Sequence, residues 1–463
     1  MNLPENDRAA TGTTTTRRSA MALTRPVPRV GRPPTPRTHL EPLAPPQGAT
    51  QYASRLEALL GDPRDPGNPY GRTALWAAGY DALPAPPAAL PGAGGERPDT
   101  DRLARALRPL FRRDLALAHA WSIRPLLNAP VPHPAAALLG PAALLAAAGG
   151  VLRGVTGIVA GLSGYEPAAR QWQPVLASTF ADLLACESLT AVALRSCSAR
   201  AAGPADPEPS QQPGELLTAV VGYLVPQLVG ELLGDLELVL NECGFDDSTP
   251  ERRTLAKIVR DRAFARVDWT AATAAQTRIV RGLSATDGAW PGEATAPVEP
   301  FRITETVTGG AADAAPCADG PATVMATPAG AAARQADADD ADTVALARVA
   351  RRLLTEQRAL RAACAAGGGH GSADPAARAL ADRHALLALA AAALAVRDGA
   401  LGGRPPSLGG TGWALLALGR ITERLGLPLP DHTPDPQPGV WQELARRAAN
   451  GVDVDLYATR LVW

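Results

Sequence analysis

One lysine, Lys257, stands in a chain whose other cationic side chains are all arginine. That bias is the codon signature of a GC-rich genome, such as an actinobacterium's. It is no nucleic-acid footprint, because a net charge of −1 sets up no global field to draw polyanions. Aromatic residues make up only 4% of the chain and β-branched runs are scarce, so a multistranded β domain has little to build its packed faces from. Cys186, Cys197, Cys243, Cys317 and Cys364 lie far apart. Their spacing suits free thiols in a reducing cytoplasm better than a disulfide framework or a metal cluster. There is no Walker loop, no glycine fingerprint after a strand, no His or Cys pair at zinc spacing and no nucleophile elbow. No metal is expected.

Alanine and leucine are what the chain has in quantity. Hydrophobic residues are 46% of 463, enough for a large core, and Ala and Leu are the strongest helix formers. The expected fold class is mainly α, a helical bundle. Its most apolar piece is Pro213 to Leu283. Leu216, Val220, Leu224, Leu228, Leu232, Leu236 and Leu240 recur there at helical spacing, with Leu217, Val221, Val225, Val229, Leu233 and Val239 beside them. A helix apolar around most of its circumference must be covered around most of it. After the turn Asp246–Pro250 a charged helix follows, ending near Leu283.

Five parts are expected in chain order. Residues 1–50, rich in Thr, Pro and Arg, form a disordered tail. Residues 51–134 are an N-terminal helical part. A short helix there stops at the breakers Gly61 to Pro69, and a longer one opens on Thr100, with Pro109 placed to kink it. Residues 135–283 are the main helical domain and 284–340 a linker, with a short strand over Phe301–Val307. Residues 341–463 are an extra C-terminal helical unit, with helices near 341–366, 375–398, 411–426 and 438–449. No solenoid period recurs. The Gly367–Gly371 run reads as a joint, and His384, inside an apolar helical run, reads as a packing residue.

Two stretches bear on location. Arg17-Arg18 resembles the start of a twin-arginine signal, but Thr24 to Pro36 is polar and proline-rich, where such a signal needs its apolar core. Ala135 to Leu152 carries no charge and approaches transmembrane length, but its Ala, Gly and Pro content and the closing Arg153 read as a buried core helix. The expectation is a soluble cytoplasmic protein with no membrane span and no nucleic-acid partner.

The passages LRGVTGIVAGLSGYEPAAR, RQWQPVLASTFADLLACESLTAVALRSC, AVVGYLVPQLVGELLGDLELVLNECGF and KIVRDRAFARVDWTAATAAQTRIV follow one another from Leu152 to Val280. Together the block 139–283 resembles the C-terminal helical domain of the acyl-CoA dehydrogenases. The upstream segments LEALLGDPRDPGNP and LARALRPLFRRDLALAHAW echo that family's N-terminal helices. The resemblance implies FAD as cofactor, an acyl thioester of CoA or a carrier protein as ligand, and a homo-oligomer or a heteromer with another acyl-CoA dehydrogenase. In it, Asp268 is the catalytic base, with Thr270 its following hydroxyl. Arg170 is the flavin-diphosphate arginine, and Gln276 lies near the flavin.

The chain departs from the family at Trp269, where the family has glycine, and at Gln173 after the aromatic. From Ala120 to Leu139 it passes through WSIRPLLNAPVPHPAAAL, with no room for the family's middle β-barrel. Three functions follow as alternatives: a divergent flavin-dependent dehydrogenase, a catalytically silent subunit or scaffold pairing with a complete one, or a helical acyl-chain-binding protein.

Overall fold

A computed structural model describes residues 48–78, 83, 100–128, 136–201, 213–285, 340–366, 374–401 and 405–463, all within one compact unit, Pro46–Trp463. The tail before Gly48, the Phe301–Val307 strand with most of its linker, and the Gly367–Gly371 joint lie outside the described residues. The helices are α1 Ala49–Leu60, α2 Arg72–Ala77, α3 Thr100–Arg113, α4 Leu115–Ala118, α5 Arg124–Leu127, α6 Ala136–Leu162, α7 Gln173–Ala201, α8 Pro213–Glu242, α9 Pro250–Phe264 and α10 Trp269–Ala285. After the linker come α11 Ala341–Ala366, α12 Pro375–Gly399, α13 Thr411–Arg424 and α14 Gln437–Ala449. A π-helical turn, His119–Ile123, joins α4 to α5, and a 3-10 turn, Pro167–Trp172, precedes α7. Among the described residues there is no strand, only the isolated bridge between Val452 and Arg460. The molecule is mainly α, as composition dictates.

Local chemistry sets the ends of these helices. Asp374 caps α12 by accepting from the Ala376 N–H, with Pro375 at the first helical position, where its missing donor costs nothing. The α8 helix closes on Gly244 at φ 75°, so that the Phe245 N–H donates back to the Leu240 carbonyl. Arg266 takes the same left-handed position after α9 at φ 54°, and the Val267 N–H donates to the Arg262 carbonyl. Pro109 does not end α3, which runs on to Arg113. The break comes at Asp114, whose carboxylate accepts from the Leu117 N–H and starts α4.

The centre of the bundle is α7. It packs against α3, α6, α8, α12, α13 and α14, whereas α8 rests chiefly on α6, α7 and α10. Phe180, Leu183, Leu184 and Leu189 on α7 are fully enclosed, and helices beyond residue 341 share the same continuous core. The last segment, 450–463, carries no helix. It lies across the bundle as a strap, with Val452, Asp453, Val454, Asp455 and Leu456 all buried.

The expectation of a cytoplasmic protein without a membrane span is overturned. Four helical stretches, Ala136–Leu162, Pro167–Cys197, Glu215–Glu242 and Pro375–Gly399, are each long and apolar enough to cross a membrane. Mean hydropathy over their most apolar windows is 1.5 to 1.7, and the rest of the chain encloses 72, 94, 67 and 72% of them. Only the first was weighed in the sequence, on its small residues and on Arg153. Neither feature disqualifies a span, because small residues favour close helix packing in lipid and a single arginine can sit at its edge.

Candidate functional site

Charge is concentrated where α2, α3, α6, α9 and the strap meet. Two ionic clusters organise the region. In the first, Arg108 and Arg112 lie one turn apart on α3, so their guanidiniums face the same way. Arg108 donates through Nε to Asp453 Oδ2 at 3.0 Å and through Nη2 to Glu187 Oε1 at 2.8 Å, and lies 3.3 Å from Asp455 Oδ2. Arg112 donates to the same Asp453 oxygen at 2.8 Å and reaches Glu57 at 3.2 Å. Burial opposes both charges, yet the pairing wins. The three acids hold the Arg108 pKa well above its ordinary value, and Arg108 with Arg112 hold the Asp453 carboxyl well below the carboxylate range. This cluster ties the strap down. Arg447, fully buried on α14, adds a bond from Nη1 to the Asp455 carbonyl at 2.6 Å.

In the second cluster the single lysine lies between two acids. Lys257 Nζ is 2.5 Å from Asp114 Oδ2 and also bonds Asp261, one turn along α9. Burial pushes the Asp114 carboxyl up, against the pull of Lys257.

Between the clusters lies a cavity of about 90 Å³. Its walls follow helical spacing. Ala147, Gly150 and Val151 face it from α6, and Glu251, Thr254, Ile258 and Asp261 from α9. Gly150 matters here because a Cβ at that position would meet nothing within 4 Å. Trp76 on α2 and Leu461 and Trp463 on the strap close the remaining sides.

The cations of the cavity are not equally committed. Lys257 and Arg112 are spent on the acids above. Arg113 donates to neutral acceptors, the carbonyls of Gly61 at 2.5 Å and Tyr70 at 3.1 Å, which bind both ends of the 61–71 loop. Burial lowers its pKa to about 10, helped by Arg72 and Arg112 and opposed by Glu57. Among the described residues, the side chains of Arg72 and Arg153 have neither a hydrogen-bond nor an ion-pair partner, and both line the cavity. Burial lowers the Arg72 pKa too, with Glu251 and Asp62 the acids that oppose the shift. Arg153 lies in the combined field of Arg112, Arg72 and Arg64, with Asp453 the acid acting on it. Of the acids that line the cavity, only Glu251 is outside an ion pair among the described residues, and Asp62, outside the lining, acts on both Arg72 and Arg113.

The residues singled out from the sequence lie elsewhere. Asp268 caps α10, accepting from the Ala271 N–H at 3.1 Å, and Thr270 is exposed on the first turn of that helix. Gln276 donates to Asp382 Oδ1 at 2.6 Å and to the Tyr223 hydroxyl at 3.3 Å, linking α10 to α12 and α8. Arg170, exposed on the 3-10 turn, donates to the Ser163 carbonyl at 3.2 Å. None of the four lines the cavity, and among the described residues no side-chain hydrogen bond joins one of them to another.

The cavity residues were not singled out in advance. One signal was readable: arginines one turn apart on one helix, at 108 and 112, call for acidic partners where they are buried. Among the described residues no group of His, Cys, Asp and Glu is arranged to hold a metal ion. No protein family, curated protein or solved structure matches the chain.

Proposed function

We propose that this is a ligand-binding protein that holds an anionic group of its ligand between Arg72, Arg113 and Arg153. One observation carries the reading: two guanidiniums without protein partners line a recessed cavity in which Lys257 and Arg112 are already paired with acids. Partly desolvated, unpaired cations are costly, and an incoming anion removes that cost while gaining charge-assisted hydrogen bonds. The size agrees. A cavity of about 90 Å³ is far below the several hundred Å³ of a drug-sized site and takes one small charged group with its water. Calorimetric titration of the purified chain with small anions tests this. Saturable binding that Arg72→Gln and Arg153→Gln each weaken is expected, and binding unchanged in both variants would refute it.

A divergent acyl-CoA dehydrogenase acting on an acyl thioester is a second proposal, supported by the sequence pattern over 139–283. Its test is an absorbance spectrum. Purified protein that is colourless and gains no bound-flavin absorbance with added FAD removes it.

A further inference from the structure

Resting on the anion-binding reading, the geometry points to a tetrahedral dianion, the phosphate of a monoester, as the group this cavity takes. One feature separates that group from a carboxylate, the direction from which its donors come. Arg72 comes from α2, Arg113 from α3 and Arg153 from α6, three separate elements around one space. A planar carboxylate is satisfied by one bidentate guanidinium, whereas a phosphate presents oxygens in several directions at once. Glu251, on the first turn of α9, is the lining acid outside an ion pair and is set against the ligand.

The same group can arrive on a soluble ester or on a lipid headgroup, and the test separates the two. The full chain is titrated with methyl phosphate, sulfate and acetate at pH 5 and pH 7. A phosphomonoester has a second pKa of about 6, so its dianion rises from roughly a tenth to nine-tenths of the total and its affinity should rise about tenfold. Sulfate is a dianion at both values and reports any change due to the acids around the cavity, Glu57, Asp114, Glu251 and Asp261. Its affinity should stay level, and acetate should bind at least about tenfold more weakly than methyl phosphate at pH 7. Arg153→Gln should weaken methyl phosphate by about tenfold or more. Glu251→Gln should tighten it about threefold, a gain that misfolding cannot imitate.

Acetate binding as well as methyl phosphate would overturn the dianion assignment and leave the anion site standing. Binding of none of the three would overturn both. Vesicles of phosphatidylcholine with and without phosphatidic acid form the last arm. Sedimentation with phosphatidic acid that methyl phosphate displaces supports the assignment and puts the group on a lipid. Methyl phosphate binding with no vesicle capture supports it and puts the group on a soluble ester.

Discussion

The only lysine of the chain, Lys257, holds its ammonium 2.5 Å from the Asp114 carboxylate, and the same nitrogen bonds Asp261. The pairing joins α9 to the start of α4, and all three side chains are buried. Replacing Lys257 with methionine leaves two buried acids facing one another, at a cost of about 3–5 kcal/mol near pH 8. Burial already raises the Asp114 pKa. A raised acid favours the folded state at low pH, and that contribution is lost as pH rises through the folded value. The variant's deficit should therefore shrink between pH 8 and pH 5. Urea midpoints at the two values measure it, and an equal deficit at both would contradict the account.

Asp453 works in the opposite sense. Arg108 and Arg112 hold its carboxyl well below the ordinary range, so its contribution is present above about pH 4 and is lost as pH falls. Asp453→Asn should cost about 3 kcal/mol or more at neutral pH by leaving buried guanidinium charge without its acid. It should also flatten the acid limb of the stability curve between pH 5 and pH 3. A variant whose acid limb matches that of the parent would show that another group drives acid unfolding.

Gly150 separates the cavity's role from the fold's stability. It lies inside α6, and a side chain there would enter open space. Gly150→Ala should raise stability by roughly 0.5–1 kcal/mol, because glycine in a helix interior carries that penalty. Gly150→Leu should fill the cavity and abolish anion binding while the protein stays folded. Circular dichroism and calorimetry on the pair read both effects, and undiminished binding in the leucine variant would place the ligand elsewhere.

Asp268 accepts from the Ala271 N–H, the role of a helix cap. Asp268→Ala should lose about 1 kcal/mol of stability, and Asp268→Asn, which keeps the cap, no more than roughly 0.5 kcal/mol. Thermal unfolding of both variants checks this, and equal losses would show that the carboxylate charge matters beyond capping.

The helices were legible because each carries its apolar residues at a spacing that only a helix can bury. The pattern predicted 375–398 and 411–426, and the chain forms Pro375–Gly399 and Thr411–Arg424. Three things were not legible. The apolar pattern runs on past Arg113, but Asp114 breaks the helix there, because a capping carboxylate rewards the new start. The hub is α7 and not the leucine-rich 213–283 pair, since how many neighbours surround a helix is a property of topology. The strap read as nothing at all. Asp453 and Asp455 alternate with Val452, Val454 and Leu456, and such acids belong at a surface unless something pairs them. Their partner, Arg108, lies 345 residues away from Asp453. The cavity shares that cause, for its arginines come from α2, α3 and α6, and no local pattern joins them.

A crystal of the full chain, grown without phosphate or sulfate and soaked in tungstate, tests the central claim most directly. Tungstate is a tetrahedral dianion that an anomalous difference map locates without a phase bias. The account predicts a peak in the cavity within hydrogen-bond reach of the Arg72 and Arg153 guanidiniums. Tungstate bound elsewhere on the protein, with no peak between those arginines, would contradict it.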